Sequence, residues 1–302
     1  MNLLAAATDP RALACLEAFS RPPHALLGLI TAPDRPKGRG QASGPSRPVL
    51  WARERKIPLL QPEDINAPEA LAWIRQRNPD VLAVIAFGQK LGPELLALPE
   101  HGCLNLHPSL LPRYRGAAPI PRALLAGDAE TGVCVIRMVD RMDAGPVLAC
   151  RREPILPGDT AAALGERLFL RGAELFREVL ERLPLSGTPQ DEALATRAPM
   201  LRKDEGRLDW RLGAEEIARR VRALQPWPGA FGMLGGQRLS IWNVAETAGS
   251  GLPGTLLTPG FRVACGKGAL ELVEVQAEGR SRMEGEAFLR GARLPPGTTF
   301  EP

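Results

Sequence analysis

Short apolar runs alternate with helix-like segments along the first 183 residues, and this alternation constrains the fold more than any other feature of the sequence. The apolar run at residues 80–86 is nearly unbroken, as in a strand that is covered on both faces. Strands joined through helices favour a mainly parallel, doubly wound sheet, that is, a Rossmann-like α/β fold. The predicted strands span residues 3–7, 25–31, 80–86, 103–107 and 132–139, and the predicted helices span 11–19, 49–56, 68–77, 91–98 and 159–183.

The pattern changes after residue 184, where a polar stretch without a clear period reads as a linker. One predicted helix, at 214–224, then precedes five short strand-like runs separated by glycine turns, which suit a small β-barrel of the OB type. We therefore expect a catalytic domain over residues 1–188, a linker over 189–205 and a second domain over 206–302. The five runs are 230–234, 238–244, 254–257, 261–265 and 270–275.

The segment from Cys103 to Gly116 carries the strongest chemical signal. Its strand places an amide, Asn105, two residues before an imidazole, His107, and alternation puts both side chains on one face. Pro108 has no N–H and favours an extended residue before it, so the strand should end there. Open α/β sheets bind ligands at the carboxyl ends of their strands. We therefore predict that Asn105 donates to a developing oxyanion and that His107 carries a proton or stabilises charge.

A second polar cluster, residues 140–146, follows the predicted strand 132–139 and should lie at the same edge of the sheet as His107. A carboxylate in that place would orient the imidazole. Asp143 suits this role or that of a turn residue, whereas Asp140 suits a turn better. Of the other two histidines, His24 is better explained as a packed side chain and His101 as a solvated one.

A long polar loop over residues 33–48 carries four basic side chains among glycines. Loops of this length are usually functional or disordered, and such cations suit phosphate contacts that do not read base sequence. From composition alone, a solvated mobile loop explains the segment equally well. The net charge of +4 permits an anionic partner without proving one. The four basic residues are Arg35, Lys37, Arg39 and Arg47.

Composition excludes several classes of protein. No window reaches the roughly 20 apolar residues of a membrane span, and the first residues lack the basic start of a signal peptide, so we expect a cytoplasmic protein. The five cysteines form no C-x-x-C pair and no zinc-like spacing with histidine, so we expect buried thiols and no metal site. No G-x-G-x-x-G follows the first strand, and there is no Walker loop and no G-x-S-x-G elbow.

The run Asn105-Leu106-His107-Pro108-Ser109-Leu110-Leu111-Pro112, with Asp143 at a similar spacing, resembles the signature of the folate-dependent formyltransferases. The resemblance covers nearly the whole chain, through residues 33–36, 38–40, 115–120, 127–132, 209–210 and 226–228. The sequence departs from it at two places. Ala7-Thr8-Asp9-Pro10 stands where the family usually has Gly-Thr-Pro, and Gln41-Ala42 follow Gly38-Arg39-Gly40, where the family often has lysines.

The resemblance implies 10-formyltetrahydrofolate as formyl donor, the α-amino group of methionyl-initiator-tRNA as acceptor, and Asn105, His107 and Asp143 as catalytic residues. It implies no metal, because a neutral amine is already a competent nucleophile. Arg39 would approach the tRNA together with the other basic residues of its loop, Arg35, Lys37 and Arg47, and the small barrel would brace the tRNA. The residues implied for folate binding are Ser109, Leu110, Leu111, Pro112, Phe87, Gly88 and Asp140.

Two other functions stay open at this point. One is a formyltransferase of the same fold that acts on an amino sugar nucleotide or on glycinamide ribonucleotide, although residues 5–9 lack the glycine-rich phosphate loop expected of the latter enzyme. The other is a non-catalytic RNA-binding protein, against which the joint presence of Asn105, His107 and Asp143 argues. No coiled coil or other assembly motif is visible, so we expect a monomer.

Overall fold

A computed structural model describes residues 1–34, 44–292, 294–295 and 297–301. No helix within these ranges is both long enough and apolar enough to cross a membrane. The contacts divide the chain into two compact units, while the predicted bounds 1–188, 189–205 and 206–302 stay a prediction. The first unit comprises Met1–Ala117, Glu130–Pro154 and Gly165–Ala198, and the second comprises Ala118–Ala129, Ile155–Leu164 and Pro199–Pro302.

The first unit contains a seven-stranded sheet. Its strands are β1 (Asn2–Ala7), β2 (Ala25–Ile30), β3 (Leu59–Leu60), β4 (Val81–Ile85), β5 (Cys103–His107), β6 (Glu130–Arg137) and β7 (Val147–Pro154). They follow the order β3-β2-β1-β4-β5-β6-β7, in which β1 to β5 are parallel and β6 and β7 are antiparallel to their neighbours. Strand β4 is buried along its whole length, as the unbroken apolar run predicts. The mainly parallel, doubly wound sheet expected from the alternation is confirmed.

Eight α-helices are present in the described ranges, and one of them coincides residue for residue with its predicted span, 68–77. Sequence patterning missed β7, the two-residue strands over 59–60 and 283–284, and the helices over residues 119–126 and 285–291. β7 is an edge strand whose short apolar half, residues 147–150, is followed by Arg151, Arg152 and Glu153, so it has neither a long apolar run nor a clear alternation. The helices are α1 (Leu13–Phe19), α2 (Arg47–Glu54), α3 (Pro68–Arg77), α4 (Pro93–Leu96), α5 (Pro119–Ala126), α6 (Ala161–Glu181), α7 (Ala214–Ala223) and α8 (Gly285–Gly291).

The expectation of buried thiols holds for three of the five cysteines and is wrong for the other two. Cys15, Cys103 and Cys265 are buried and free, and burial raises the pKa of Cys15 and of Cys103 to about 12. Cys134 and Cys150 form a disulfide. They are direct partners across the antiparallel β6–β7 pair, with Cα atoms 4.1 Å apart, and spacing along the chain does not reveal such a neighbour.

The second unit contains an antiparallel sheet that the end of the chain closes. Its strands are β8 (Phe231–Leu234), β9 (Gln237–Thr247), β10 (Leu256–Leu257), β11 (Arg262–Ala264), β12 (Ala269–Ala277) and β13 (Met283–Glu284). They follow the order β10-β11-β12-β9-β8, with β13 paired to β12. Phe300 bridges to Leu234 at the end of β8, and Thr299 bridges to Thr255 beside β10. Because the last residues join both edges, the expected barrel-like domain is confirmed.

Candidate active site

Asn105 and His107 lie at the carboxyl end of β5, the strand that ends at His107 as the following proline predicts. Their partners on β6 are Ile136 and Cys134, which places them at alternate positions along one face of the strand. His107 is 3% exposed, whereas Asn105 is only half-buried. The amide is therefore more accessible to a ligand than the ring is.

Both ring nitrogens of His107 face an oxygen atom. Nε2 lies 2.9 Å from the backbone carbonyl oxygen of Tyr114. Nδ1 lies 3.6 Å from Oδ2 of Asp143. A carbonyl oxygen can only accept, so the hydrogen bond to Tyr114 requires a proton on Nε2. The side that faces Asp143 is thus the side of the ring on which a proton can be exchanged.

The carboxylate of Asp143 connects three elements of the site. Its Oδ2 accepts a hydrogen bond from the backbone N–H of Gly116 at 2.8 Å, and its Oδ1 lies 3.4 Å from Nδ2 of Asn105. Its side chain is 13% exposed. The structure therefore brings Asn105, His107 and Asp143 together, although Asp143 is distant from the other two in sequence.

Gly116 is a position of the site where the backbone geometry requires glycine. Its φ is +128°, and a Cβ built on it would lie 2.6 Å from the carbonyl oxygen of Ala198. No other residue type fits there without displacing the neighbouring backbone. The N–H that binds Asp143 therefore depends on glycine at position 116.

The segment implied for folate binding forms a tight turn after β5. Ser109 is fully buried, and its hydroxyl donates to the carbonyl oxygen of Arg113 at 2.7 Å. That hydroxyl therefore shapes the loop. The Leu110 side chain packs against Gly132 of β6, and Leu111 and Pro112 are half-buried.

Phe87 and Gly88 lie in the loop after β4. Phe87 is buried, and its carbonyl oxygen accepts a hydrogen bond from the Thr8 hydroxyl at 3.0 Å. Gly88 has a φ of +89° with open space where a Cβ would lie. Thr8 belongs to the Ala-Thr-Asp-Pro run that differs from the family pattern. Its hydrogen bond connects the loop after β1 to the loop after β4. Asp140 is exposed and forms an ion pair with Lys90 at 2.6 Å.

The basic residues predicted to contact a nucleic acid are mostly not placed. Arg35, Lys37 and Arg39 lie outside the described residues. Arg47 is exposed and begins α2. Within the described ranges there is also no group of three or more His, Cys, Asp or Glu residues that could hold a metal ion.

Sequence reasoning missed two kinds of contact at this site. The carbonyl of Tyr114 and the N–H of Gly116 are backbone groups, and the type of residue does not indicate which partner such a group will bind. Gln190 donates from Nε2 to the carbonyl oxygens of Asp143 at 2.8 Å and of Gly145 at 2.7 Å. It lies in the stretch predicted as a linker, where the absence of a period was the only signal.

The arrangement suits the attack of a nucleophile on a carbonyl group. An amide donor at the rim of the site can stabilise the oxyanion that such an attack creates. An imidazole held by a carbonyl on one nitrogen and facing a carboxylate with the other can move a proton between two reacting groups.

Comparison with known protein families matches both parts of the chain. Residues 6–180 match the family described as "Formyl transferase", and residues 200–293 match "Formyl transferase, C-terminal domain".

Curated relatives that carry the name methionyl-tRNA formyltransferase match nearly the whole chain. The protein of Geobacter metallireducens is 45% identical over 278 residues, which cover 90% of this chain and 89% of that protein. The protein of Thermus thermophilus is 46% identical over 279 residues, which cover 91% of each.

Among solved structures, HypX from Aquifex aeolicus, crystallised in complex with tetrahydrofolic acid, is similar with a TM-score of 0.63 and 17% identity. The likeness covers 97% of this chain but 48% of HypX, so this chain spans about half of that longer protein. At this identity the similarity shows a shared fold.

Proposed function

Since the chain belongs to the formyl transferase family, we propose that it transfers the formyl group of 10-formyltetrahydrofolate to the α-amino group of methionyl-initiator-tRNA. The observation that carries this proposal is the extent of the match. Relatives that are 45% and 46% identical over 90% and 91% of the chain carry the name methionyl-tRNA formyltransferase. A match limited to residues 6–180 would fit other formyl acceptors equally well.

Asn105 is proposed as the oxyanion donor. When the neutral amine attacks the formyl carbon, negative charge grows on the formyl oxygen, and the amide donates a hydrogen bond to it. The 3.4 Å contact between Nδ2 of Asn105 and Asp143 is at the long end of the hydrogen-bonding range, so it orients the amide loosely. The amide nitrogen carries a second N–H, which serves the substrate.

His107 and Asp143 are proposed to move the proton. The attacking amine must lose a proton, and the folate nitrogen must gain one as its bond to the formyl carbon breaks. Because Tyr114 holds Nε2 of His107, Nδ1 is the nitrogen that takes part, with the Asp143 carboxylate beside it. The chemistry thus needs only groups within the first unit.

The folate donor is proposed to contact the loops after β4, β5 and β6. Backbone groups and apolar side chains of residues 110–112, Phe87, Gly88 and Asp140 offer the contacts. Ser109 supports this surface from beneath, because its hydroxyl is bonded to Arg113.

The tRNA is proposed to bind through the loop of Arg35, Lys37, Arg39 and Arg47 and through the barrel-like second unit. Phosphate contacts of this kind position a nucleic acid without reading its sequence. We also propose a cytoplasmic protein, since its substrates belong to translation and folate metabolism, and a monomer, since the sequence carries no coiled coil or other evident assembly motif.

A transfer assay tests the proposed function. Purified protein is incubated with 10-formyltetrahydrofolate and methionyl-initiator-tRNA, and formylation of the amino acid is measured. Uncharged tRNA, glycinamide ribonucleotide and an amino sugar nucleotide serve as acceptor controls. We expect turnover with charged initiator tRNA alone. Turnover with one of the small acceptors instead of charged tRNA, or the absence of turnover with every acceptor, would overturn the proposal.

Replacing Arg39 by alanine is expected to weaken tRNA binding. Loss of one phosphate contact should raise KM for tRNA several-fold and reduce the slope of log KM against log salt by about 1. KM for the folate should not change. Arg53→Ala, which removes an exposed arginine of α2, is the matched control. An unchanged KM for tRNA in Arg39→Ala would remove the loop from tRNA recognition.

A further inference from the structure

Residues 188–198, which we call the strap, overlap the stretch predicted as a linker, 189–205, yet they pair with residues that flank the active site. Thr188 and Val147 exchange two backbone hydrogen bonds of 2.8 Å. Farther along, the N–H of Arg115 donates to Thr196 at 2.9 Å, and the N–H of Ala198 donates to Arg115 at 2.7 Å. Backbone hydrogen bonds therefore hold both ends of the strap to other segments of the first unit.

Gln190 is the strap residue that reaches the catalytic aspartate. Its Nε2 donates to the carbonyl oxygens of Asp143 and Gly145, and its Oε1 accepts from Nε of Arg115 at 3.0 Å. A carbonyl can only accept and a guanidinium can only donate, so these partners determine the orientation of the Gln190 amide. The side chain thus clamps the backbone on both sides of Ala144.

The clamp acts at a residue with an uncommon backbone conformation. Asp143 has a φ of +52°, in the left-handed region that non-glycine residues rarely adopt. In this conformation its carboxylate meets the N–H of Gly116 and faces His107. Holding the two carbonyls keeps the loop in the one conformation that presents the carboxylate to both partners.

The Arg115 side chain that donates to Gln190 is itself held by Glu192. The guanidinium of Arg115 forms two hydrogen bonds with the carboxylate of Glu192, at 2.9 and 3.1 Å, and its side chain is 11% exposed. Glu192 also binds Arg141, on the same loop as Asp143. The Arg115 and Arg141 guanidiniums hold the pKa of Glu192 below its usual value, with the Arg115 hydrogen bond as the main cause.

We propose that Gln190 is a positioning residue for formyl transfer, which acts by holding the Asp143 carboxylate in place. This inference rests on the proposed function, because it assigns Asp143 a part in the reaction. Gln190 bonds to the backbone of the Asp143 loop and to Arg115. Its effect therefore reaches the reaction through Asp143.

Two substitutions separate the donor function of Gln190 from its bulk. Gln190→Ala removes every contact of the side chain. Gln190→Glu keeps the shape and the oxygen that accepts from Arg115, but it replaces the donor to the two carbonyls by a carboxylate oxygen. We expect both variants to lower kcat about 10- to 100-fold, because a displacement of ~1 Å in a catalytic group costs about 10²-fold in rate. KM for both substrates should change less than about twofold, since uniform binding is untouched.

A neighbouring strap residue provides the control. Asp191 is exposed and caps a short 3-10 helix through a 2.9 Å hydrogen bond to the N–H of Ala193. Asp191→Asn should therefore leave kcat unchanged. Circular dichroism and thermal unfolding establish whether each variant is folded. If Gln190→Ala does not fold, the proposal is tested with Gln190→Glu.

A double-mutant cycle distinguishes positioning from general damage. If Gln190 acts through Asp143, then adding Gln190→Ala to Asp143→Asn should lower kcat by less than about twofold beyond Asp143→Asn alone. Equal losses in both backgrounds, or a wild-type kcat in Gln190→Glu, would overturn the proposal. Absence of tRNA formylation by the unmodified protein would instead refute the proposed function, so the two failures are distinguishable.

Discussion

Replacing Asn105 by alanine is expected to lower kcat about 10²- to 10³-fold, while KM for the folate stays nearly constant. Removal of one preorganised oxyanion donor typically has this cost, because the interaction strengthens as charge develops in the transition state. Asn105 is half-buried at the carboxyl end of β5, and its side chain makes one long contact, to Asp143. When that contact is removed, Asp143 keeps its 2.8 Å hydrogen bond from the N–H of Gly116, so the fold should tolerate the substitution. Steady-state kinetics with both substrates and thermal unfolding measure the effect.

The control for this substitution is Asn243→Ala, which removes an exposed asparagine from β9. It should keep the kcat of the unmodified protein. If kcat of Asn105→Ala falls by less than about threefold, the oxyanion role belongs to another group. A loss of folate binding equal to the loss of rate would instead make Asn105 a binding residue, which also contradicts the prediction.

Replacing Asp143 by asparagine should lower kcat by at least about 10²-fold, within the range of general acid–base contributions. Asparagine keeps the shape and an oxygen that accepts from the N–H of Gly116, and it tolerates the left-handed φ of +52°. The fold should therefore survive, while the negative charge 3.6 Å from Nδ1 of His107 is lost. If Asp143→Asn is folded and its kcat is reduced, the loss of rate is due to the missing charge.

Single-turnover measurements with a preformed complex separate the chemical step from substrate binding in Asp143→Asn. We expect the single-turnover rate to fall as far as kcat, and the melting temperature to stay close to that of the unmodified protein. Asp191→Asn, the same change at an exposed position, should alter neither quantity. An Asp143→Asn variant that retains more than about a third of the single-turnover rate would show that His107 does not need a charged neighbour.

Local patterns were reliable wherever the determinant lies within a few residues. Pro108 ended β5 at His107, and the two-residue period placed Asn105 and His107 on one face. The alternation of strand and helix signals anticipated the mainly parallel sheet, and the short runs anticipated the barrel-like second unit. Edge strand β7 was missed, because its apolar run is only four residues long and charged side chains follow it.

Long-range contacts could not be read in the same way. The family resemblance groups Asp143 with Asn105 and His107, but the strand pattern by itself predicts only a shared sheet edge. The 2.8 Å hydrogen bond from Gly116 that holds the Asp143 carboxylate has no sequence signal. The Cys134–Cys150 disulfide likewise follows from the β6–β7 register, which spacing does not reveal.

The sequence by itself determined the α/β class of the first unit, the strand that carries Asn105 and His107, and the candidate chemistry of an amide, an imidazole and a carboxylate. Only the tertiary structure decided that Tyr114 occupies one nitrogen of His107 and that Gln190 clamps the Asp143 loop. The physical reason is that the former depend on side-chain type and short periods. The latter are hydrogen bonds to backbone carbonyls, which every residue offers, so only the path of the chain selects among them.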